Sequence, residues 1–203
     1  MKKILCFGDS NVYGFNPNNG KRFPDNIRWA SILKNLCKPN YKIIEAGCNN
    51  RTCFKNNPVG IEQTGYKVLP NLLNTDLYGI ILSLGINDLQ FQYNTTENEI
   101  KNGINNIINL VKNNCPNAKI IILGPSEISN CIKQSFFQAM FDDSSIELSK
   151  KIGEIYKNIA NENNCIFIYL NDIATVSKID GLHYDENEHY KIANYLYNVI
   201  KQL

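Results

Sequence analysis

A serine, a histidine and an aspartate occupy turn-forming stretches of this 203-residue chain: Ser10 in "GDSN", and Asp180 and His183 in "DGLH". A serine hydroxyl is a weak nucleophile until a neighbouring base takes its proton. An imidazole base in turn needs a carboxylate to orient it and to stabilise its charged form. Asp180 opens an Asp-Gly dipeptide three residues before His183, a strong turn former that would bring the carboxylate beneath the imidazole. Attack on an acyl carbonyl also calls for N–H donors aimed at the developing oxyanion. Asn50 in "CNNRT" and Asn87 in "GIND" stand in two further polar turns.

Each residue also has a plainer reading. Ser10 is a candidate helix cap, a common role for serine. The two roles are compatible, because a serine at a helix start also lies at the positive end of the helix dipole. His189, the only other histidine, lies in "ENEHYKIA", where helical spacing predicts a partly exposed surface position. Its spacing of six from His183 matches neither familiar helical zinc pattern, and no cysteine pair adjoins the two, so no metal site is expected.

Asp9 and Asp88 adjoin the candidates and are expected to act as scaffolding that accepts backbone N–H bonds. Arg51 is expected to form a structural salt bridge to a nearby turn rather than to bind an anionic substrate group. Cys48 and Cys53 form no CxxC pair and read as small, partly buried filler, with Cys48 near enough to the second polar turn for its modification to inhibit. The seven cysteines, an odd and scattered set, fit reduced thiols better than a disulfide framework.

The elements that position these turns follow from apolar periodicity. Short continuous runs, "KILCF", "YKIIEA", "YGIILSLG", "KIIILG" and "CIFIYL", read as buried strands, each ending in turn or polar residues. Longer segments between them have helical spacing: "IRWASILKNLC", "ENEIKNGINNIINLVKN", "SSIELSKKIGEIYKNIANE" and "ENEHYKIANYLYNVIKQL". Strands alternating with helices imply a parallel sheet with helices on both faces. No linker, repeat or compositional break appears, so residues 1–203 are expected to form one α/β domain. Ligand sites in such sheets lie at the carboxyl ends of the strands. Ser10, Asn50, Asn87, Asp180 and His183 would therefore converge on one rim.

Composition narrows the partners. With 43% hydrophobic and 20% charged residues the chain reads as soluble and globular. A net charge of +2, without any block of Lys or Arg, argues against nucleic acid. No apolar run approaches the roughly 20 residues that span a bilayer, and the first one is too short for a signal peptide, so a cytoplasmic protein without membrane association is expected. Neither G-x-x-x-x-G-K nor G-x-G-x-x-G occurs, which weakens the rival reading of a nucleotide- or flavin-binding module.

"GDSNVYG", "AGCNNRT", "LGIND" and "DGLH" together resemble the four sequence blocks of the SGNH (GDSL-type) hydrolase family, in that family's order. "GDSNVYGF", "RWASIL" and "NNRT" are similar to its small esterase and acyltransferase, arylesterase-like branch. The resemblance implies a flavodoxin-like, three-layer α/β/α sandwich around five parallel strands. It implies Ser10 as nucleophile, His183 as general base and Asp180 as its orienting acid. The oxyanion donors it implies are the backbone N–H groups of Ser10 and Asn50 and the side-chain amide of Asn87. The family often has glycine where Asn50 stands. Asparagine tolerates the left-handed conformation, so the backbone donor can survive while the side chain narrows the acyl pocket.

The activity implied is hydrolysis, or acyl transfer, of short-chain carboxylic esters with no metal or organic cofactor. Carbohydrate O-acetyl esters are the main alternative, with thioesters or lysophospholipids behind them. A catalytically silent binding protein is the alternative from another class, and the intact Ser, His and Asp set argues against it. The expected partner is a small-molecule ester. The apolar stretch Phe136 to Phe141 has three open readings: a lid or acyl-facing wall, plain packing, or the subunit interface of a homo-oligomer.

Overall fold

Five apolar runs become strands in a computed structural model that describes residues 1–203. They are β1 (Lys2–Gly8), β2 (Tyr41–Gly47), β3 (Leu77–Ser83), β4 (Lys119–Gly124) and β5 (Ile166–Tyr169). All neighbouring pairs are parallel, and the order across the sheet is β2-β1-β3-β4-β5. The helices are α1 (Ser10–Tyr13), α2 (Trp29–Leu36), α3 (Gly65–Val68), α4 (Glu97–Asn114), α5 (Asp143–Glu162) and α6 (Glu186–Ile200). The four long helices lie within a few residues of the bounds that the periodicity predicts.

The strands read as continuous apolar runs because both sheet faces are covered. Alternate side chains of β1 enter different cores. Leu5 and Phe7 join the Ile-rich faces of α4 and α5, including Ile104, Ile108, Ile152 and Ile155. Ile4 and Cys6 join Trp29 and Leu33 of α2 and Ile192 and Leu196 of α6. The result is the expected α/β/α sandwich. Side-chain caps define where the two longest helices begin: Thr96 with Glu99 opens α4, and Asp142 with Ser145 opens α5. No helix is long and apolar enough to cross a membrane.

The strand order reverses direction at β1, which pairs with β2 on one side and β3 on the other. A crevice opens at such a switch point, outside the carboxyl ends of the strands. Here those ends are level, since Gly8 pairs with Gly47 of β2 and with Ser83 of β3. The turns that follow β1, β2 and β3 thus leave the sheet side by side.

Candidate active site

Ser10 follows β1 through a turn that glycine makes possible. A Cβ on Gly8 would fall 2.1 Å from Val12 Cγ2 and 2.5 Å from the Ser83 carbonyl oxygen, so only glycine lets the chain turn back this tightly. Asp9, not Ser10, caps α1: its side chain accepts from the Asn11 N–H at 2.9 Å. The cap reading of Ser10 is corrected accordingly. Ser10 is the first helical residue, with its N–H among those that lack an intrahelical acceptor and its hydroxyl uncommitted to the helix.

That hydroxyl meets His183. The Ser10 Oγ lies 2.9 Å from His183 Nε2, and His183 Nδ1 lies 2.7 Å from Asp180 Oδ2. All three residues are buried. The turn that holds the pair is built from its own backbone. Asp180 Oδ1 accepts the N–H groups of Leu182 and His183, each at 3.0 Å, and Ser177 N–H donates to the His183 carbonyl at 2.7 Å. Gly181 adopts a φ of +72°, and a Cβ there would stand 2.6 Å from Ile132 N. The Asp-Gly dipeptide is therefore demanded by both conformation and space. Burial disfavours the Asp180 carboxylate, but the hydrogen bond and charge of His183 and two backbone N–H groups outweigh it and hold its pKa below the usual value.

Asn50 adopts a φ of 59°, the left-handed conformation that asparagine was expected to tolerate here. Its carbonyl accepts from Asn57 Nδ2 at 2.7 Å, while its backbone N–H finds no acceptor within the chain. Asn87 lies in a 3₁₀ turn, Ile86–Leu89, just beyond β3. Its Nδ2 donates to the Arg51 carbonyl at 3.1 Å, which leaves its second amide hydrogen without a partner. The Asn50 N–H and the Asn87 amide thus both keep a free donor.

Two buried carboxylates frame this turn region without joining the Ser–His–Asp line. Asp88 accepts the N–H groups of Cys53, Phe54 and Lys55 at 2.6, 2.9 and 2.8 Å, fixing the loop after β2. Burial pushes its pKa up to about 6 and that of Asp9 up to about 7. Both serve as the acceptors of backbone N–H groups that the sequence predicts. Arg51 corrects its expectation. Its guanidinium caps three backbone carbonyls, of Ala46 at 2.6 Å, Glu62 at 2.9 Å and Gly8 at 3.1 Å, where a salt bridge had been expected. It is buried where the carbonyls of Gly8 and Ala46, at the ends of β1 and β2, and that of Glu62 lie within reach of its N–H groups.

His189 is also corrected. It is fully buried on the inner side of α6, where its Nδ1 accepts the Trp29 N–H at 3.4 Å. Phe23 and Tyr184 stand edge-on to its ring. Burial first, and then the charges of His183 and Arg28, press its pKa down to about 3, so it is neutral. Cys53 is buried with its thiol held well above its ordinary pKa by burial, whereas Cys48 is half-buried beside Gln63. Both fit a filler role.

Aromatic rings cover the imidazole. Phe15, just after α1, lies with its ring centre 4.2 Å from that of His183, and Phe137 lies at 5.0 Å. Phe15 was not singled out in the sequence; its only signal is its place directly after the "GDSNVYG" block. The segment Phe136 to Phe141 divides three ways: Phe137 packs on His183, Phe141 is buried in the core, and Phe136 is 81% exposed. A groove of about 390 Å³ runs beside them, lined by Phe15, Asn18, Phe136, Phe137, Ile179 and Asp180. A larger groove, about 750 Å³, follows the edge strand β2 past Tyr41 and Ile43 and contains none of the residues of this rim.

A family model described as GDSL-like lipase/acylhydrolase matches residues 6–189. Among solved structures, a carbohydrate acetylesterase family member from Sinorhizobium meliloti is 28% identical, with a TM-score of 0.91 over 100% of this chain and 98% of its own. Est24, a carbohydrate acetylesterase from the same organism, is 25% identical, with a TM-score of 0.92 over 100% and 99% of the two chains. The native aryl esterase of M. smegmatis is 24% identical, with a TM-score of 0.90 over 100% of both chains, a likeness of fold. No curated protein matches the sequence significantly.

Proposed function

This chain belongs to the GDSL-like lipase/acylhydrolase family, and from that membership we propose that it is a serine esterase acting on short-chain carboxylic esters through Ser10, His183 and Asp180. The observation that carries the reading is the unbroken contact line from Ser10 Oγ through His183 to Asp180, at 2.9 and 2.7 Å.

In the proposed reaction Ser10 Oγ attacks the acyl carbonyl as its proton passes to His183 Nε2. Asp180 fixes the imidazole with its Nδ1 proton facing the carboxylate, so that Nε2 is the atom free to accept. The carbonyl oxygen becomes an oxyanion, held by the N–H groups of Ser10 and Asn50 and by Asn87 Nδ2. Collapse breaks the bond to the alcohol, which leaves with the proton from Nε2, and the acyl group stays on Ser10. Water, activated in the same way by His183, releases the acid; an acceptor alcohol in its place gives acyl transfer.

The aromatic wall beside the imidazole supports an ester whose alcohol portion is apolar or aromatic, since rings gain both area burial and edge-to-face contact there. A carbohydrate O-acetyl ester is the second reading. Asn18, Asn19 and Ser135 line the same groove and offer polar contacts to sugar hydroxyls. Rates on p-nitrophenyl acetate, butyrate and octanoate, set beside acetylated xylose, test this. Acetate favoured among the nitrophenyl esters, with little turnover of the sugar ester, is expected. Octanoate favoured over acetate would defeat the short-chain reading.

A further inference from the structure

Gln90 takes no part in the proposed proton transfers, yet it is 1% exposed and closes the 3₁₀ turn that carries Asn87 and Asp88. Its Nε2 donates to Asn50 Oδ1 at 2.7 Å and to Asn87 Oδ1 at 3.3 Å. Its Oε1 accepts from Gln92 Nε2 at 2.9 Å. A primary amide has two hydrogens and one oxygen, and here all three sides are used. Turned over, Gln90 would set its oxygen against two other amide oxygens and its nitrogen against the Gln92 amide nitrogen. The site admits one orientation.

That constraint passes to both neighbours. Asn87 has its oxygen held by Gln90 and its nitrogen held by the Arg51 carbonyl, so reversing it would create two like-with-like contacts. One amide hydrogen of Asn87 remains, aimed by the other. Asn50 is held at its carbonyl by Asn57 and at its side chain by Gln90, in a left-handed conformation that asparagine does not adopt freely. With both ends fixed, the direction of its unpaired N–H is fixed too. The Asn50 side chain is turned to Gln90 and helps frame the turn.

We infer that Gln90 is a positioning residue of the oxyanion hole, holding the Asn50 backbone N–H and the Asn87 amide in their donating orientations through its one buried side-chain amide. The inference rests on the proposed roles of Asn50 and Asn87. It assigns Gln90 no contact with substrate.

Gln90→Met keeps the length of the side chain and removes the donor. The variant is compared with wild type for kcat and KM on p-nitrophenyl acetate and for affinity towards a trifluoromethyl ketone. Such a ketone forms a bond from its carbonyl carbon to Ser10 Oγ and places the resulting oxyanion in the hole. Misaimed donors weaken only states that carry the oxyanion, so kcat falls about ten- to hundredfold while KM stays within about threefold. Ketone affinity falls in parallel with kcat/KM. Unchanged kcat, or a lower kcat with wild-type ketone affinity, overturns the inference, the second because it marks a mere loss of folded enzyme. Should Gln90→Met fail to fold, Gln90→Glu keeps the size and turns the donor into an acceptor, and the same paired losses are expected. Ser10→Ala is assayed alongside. If it remains active, the nucleophile reading fails; if it is inactive while Gln90→Met behaves as wild type, only the role of Gln90 fails.

Discussion

The Asp180 carboxylate grips His183 twice, with Oδ2 2.7 Å from the imidazole Nδ1 and Oδ1 accepting the His183 backbone N–H at 3.0 Å. Asp180→Asn keeps an acceptor for the backbone. Its amide nitrogen, facing Nδ1, selects the tautomer with the proton on Nε2, which then cannot take the Ser10 proton. A fall in kcat of roughly 10³- to 10⁴-fold, with the melting temperature nearly unchanged, is expected for an orienting acid. A loss below tenfold would remove Asp180 from that role.

Asp88 stands one residue from Asn87, yet its carboxylate is spent on structure. Asp88→Ala leaves the buried N–H of Cys53 and the part-buried N–H groups of Phe54 and Lys55 without their acceptor. Each buried unsatisfied donor costs on the order of 1–3 kcal/mol, so urea unfolding should show a loss of about 3 kcal/mol or more at unchanged m-value. A loss under ~1 kcal/mol would mean that water or another group replaces the carboxylate.

His189 supplies a test by pH. Its pKa is pressed from 6.5 to about 3 in the fold, so the unfolded chain binds the extra proton. Stability from keeping His189 neutral is full above about pH 6.5 and is lost as pH falls towards 3. Asp9 and Asp88, with pKa values raised to about 7 and about 6, act in the opposite direction over an overlapping range. A comparison of wild type with His189→Gln isolates the histidine. The stability advantage of wild type over the variant should shrink steadily from pH 7 to pH 4; an advantage that stays constant would show that His189 does not titrate as described.

Phe136 is the exposed end of the aromatic wall, and its readings as substrate-facing wall and as subunit interface separate in one experiment. Phe136→Ala should raise KM for phenyl acetate by about fivefold, the equivalent of ~1 kcal/mol of lost ring contact, and leave ethyl acetate unaffected. An unchanged KM with a concentration-dependent change in sedimentation would favour the subunit interface instead.

The elements were legible because parallel strands buried on both faces leave continuous apolar runs, as in "KIIILG", and covering helices leave a period of three to four, as in Ile100, Ile104, Ile107 and Ile108. Ser10, Asp180 and His183 were legible as candidates because a serine, an aspartate and a histidine stand in polar stretches that follow strands. What periodicity cannot show is which side of a helix meets a second helix. His189 looked like a surface residue because its neighbours Glu186, Glu188 and Lys191 are charged, whereas α6 presses that position onto Trp29. Arg51 carries no mark in sequence that it will meet carbonyls instead of a carboxylate. Gln90 was silent for a similar reason. An amide in a turn becomes informative only when the partners that tertiary structure brings, here Asn50 from the neighbouring turn, are in place.

The central claim is that Ser10 forms the acyl-enzyme. Its most direct test is turnover of p-nitrophenyl acetate by wild type and by Ser10→Ala at equal concentration of folded protein. Removing a triad nucleophile lowers kcat by about a millionfold, so hydrolysis by Ser10→Ala should fall to the background rate while the fold is unchanged. Equal rates in the two proteins would contradict the claim and leave Ser10 as no more than the first residue of a short helix.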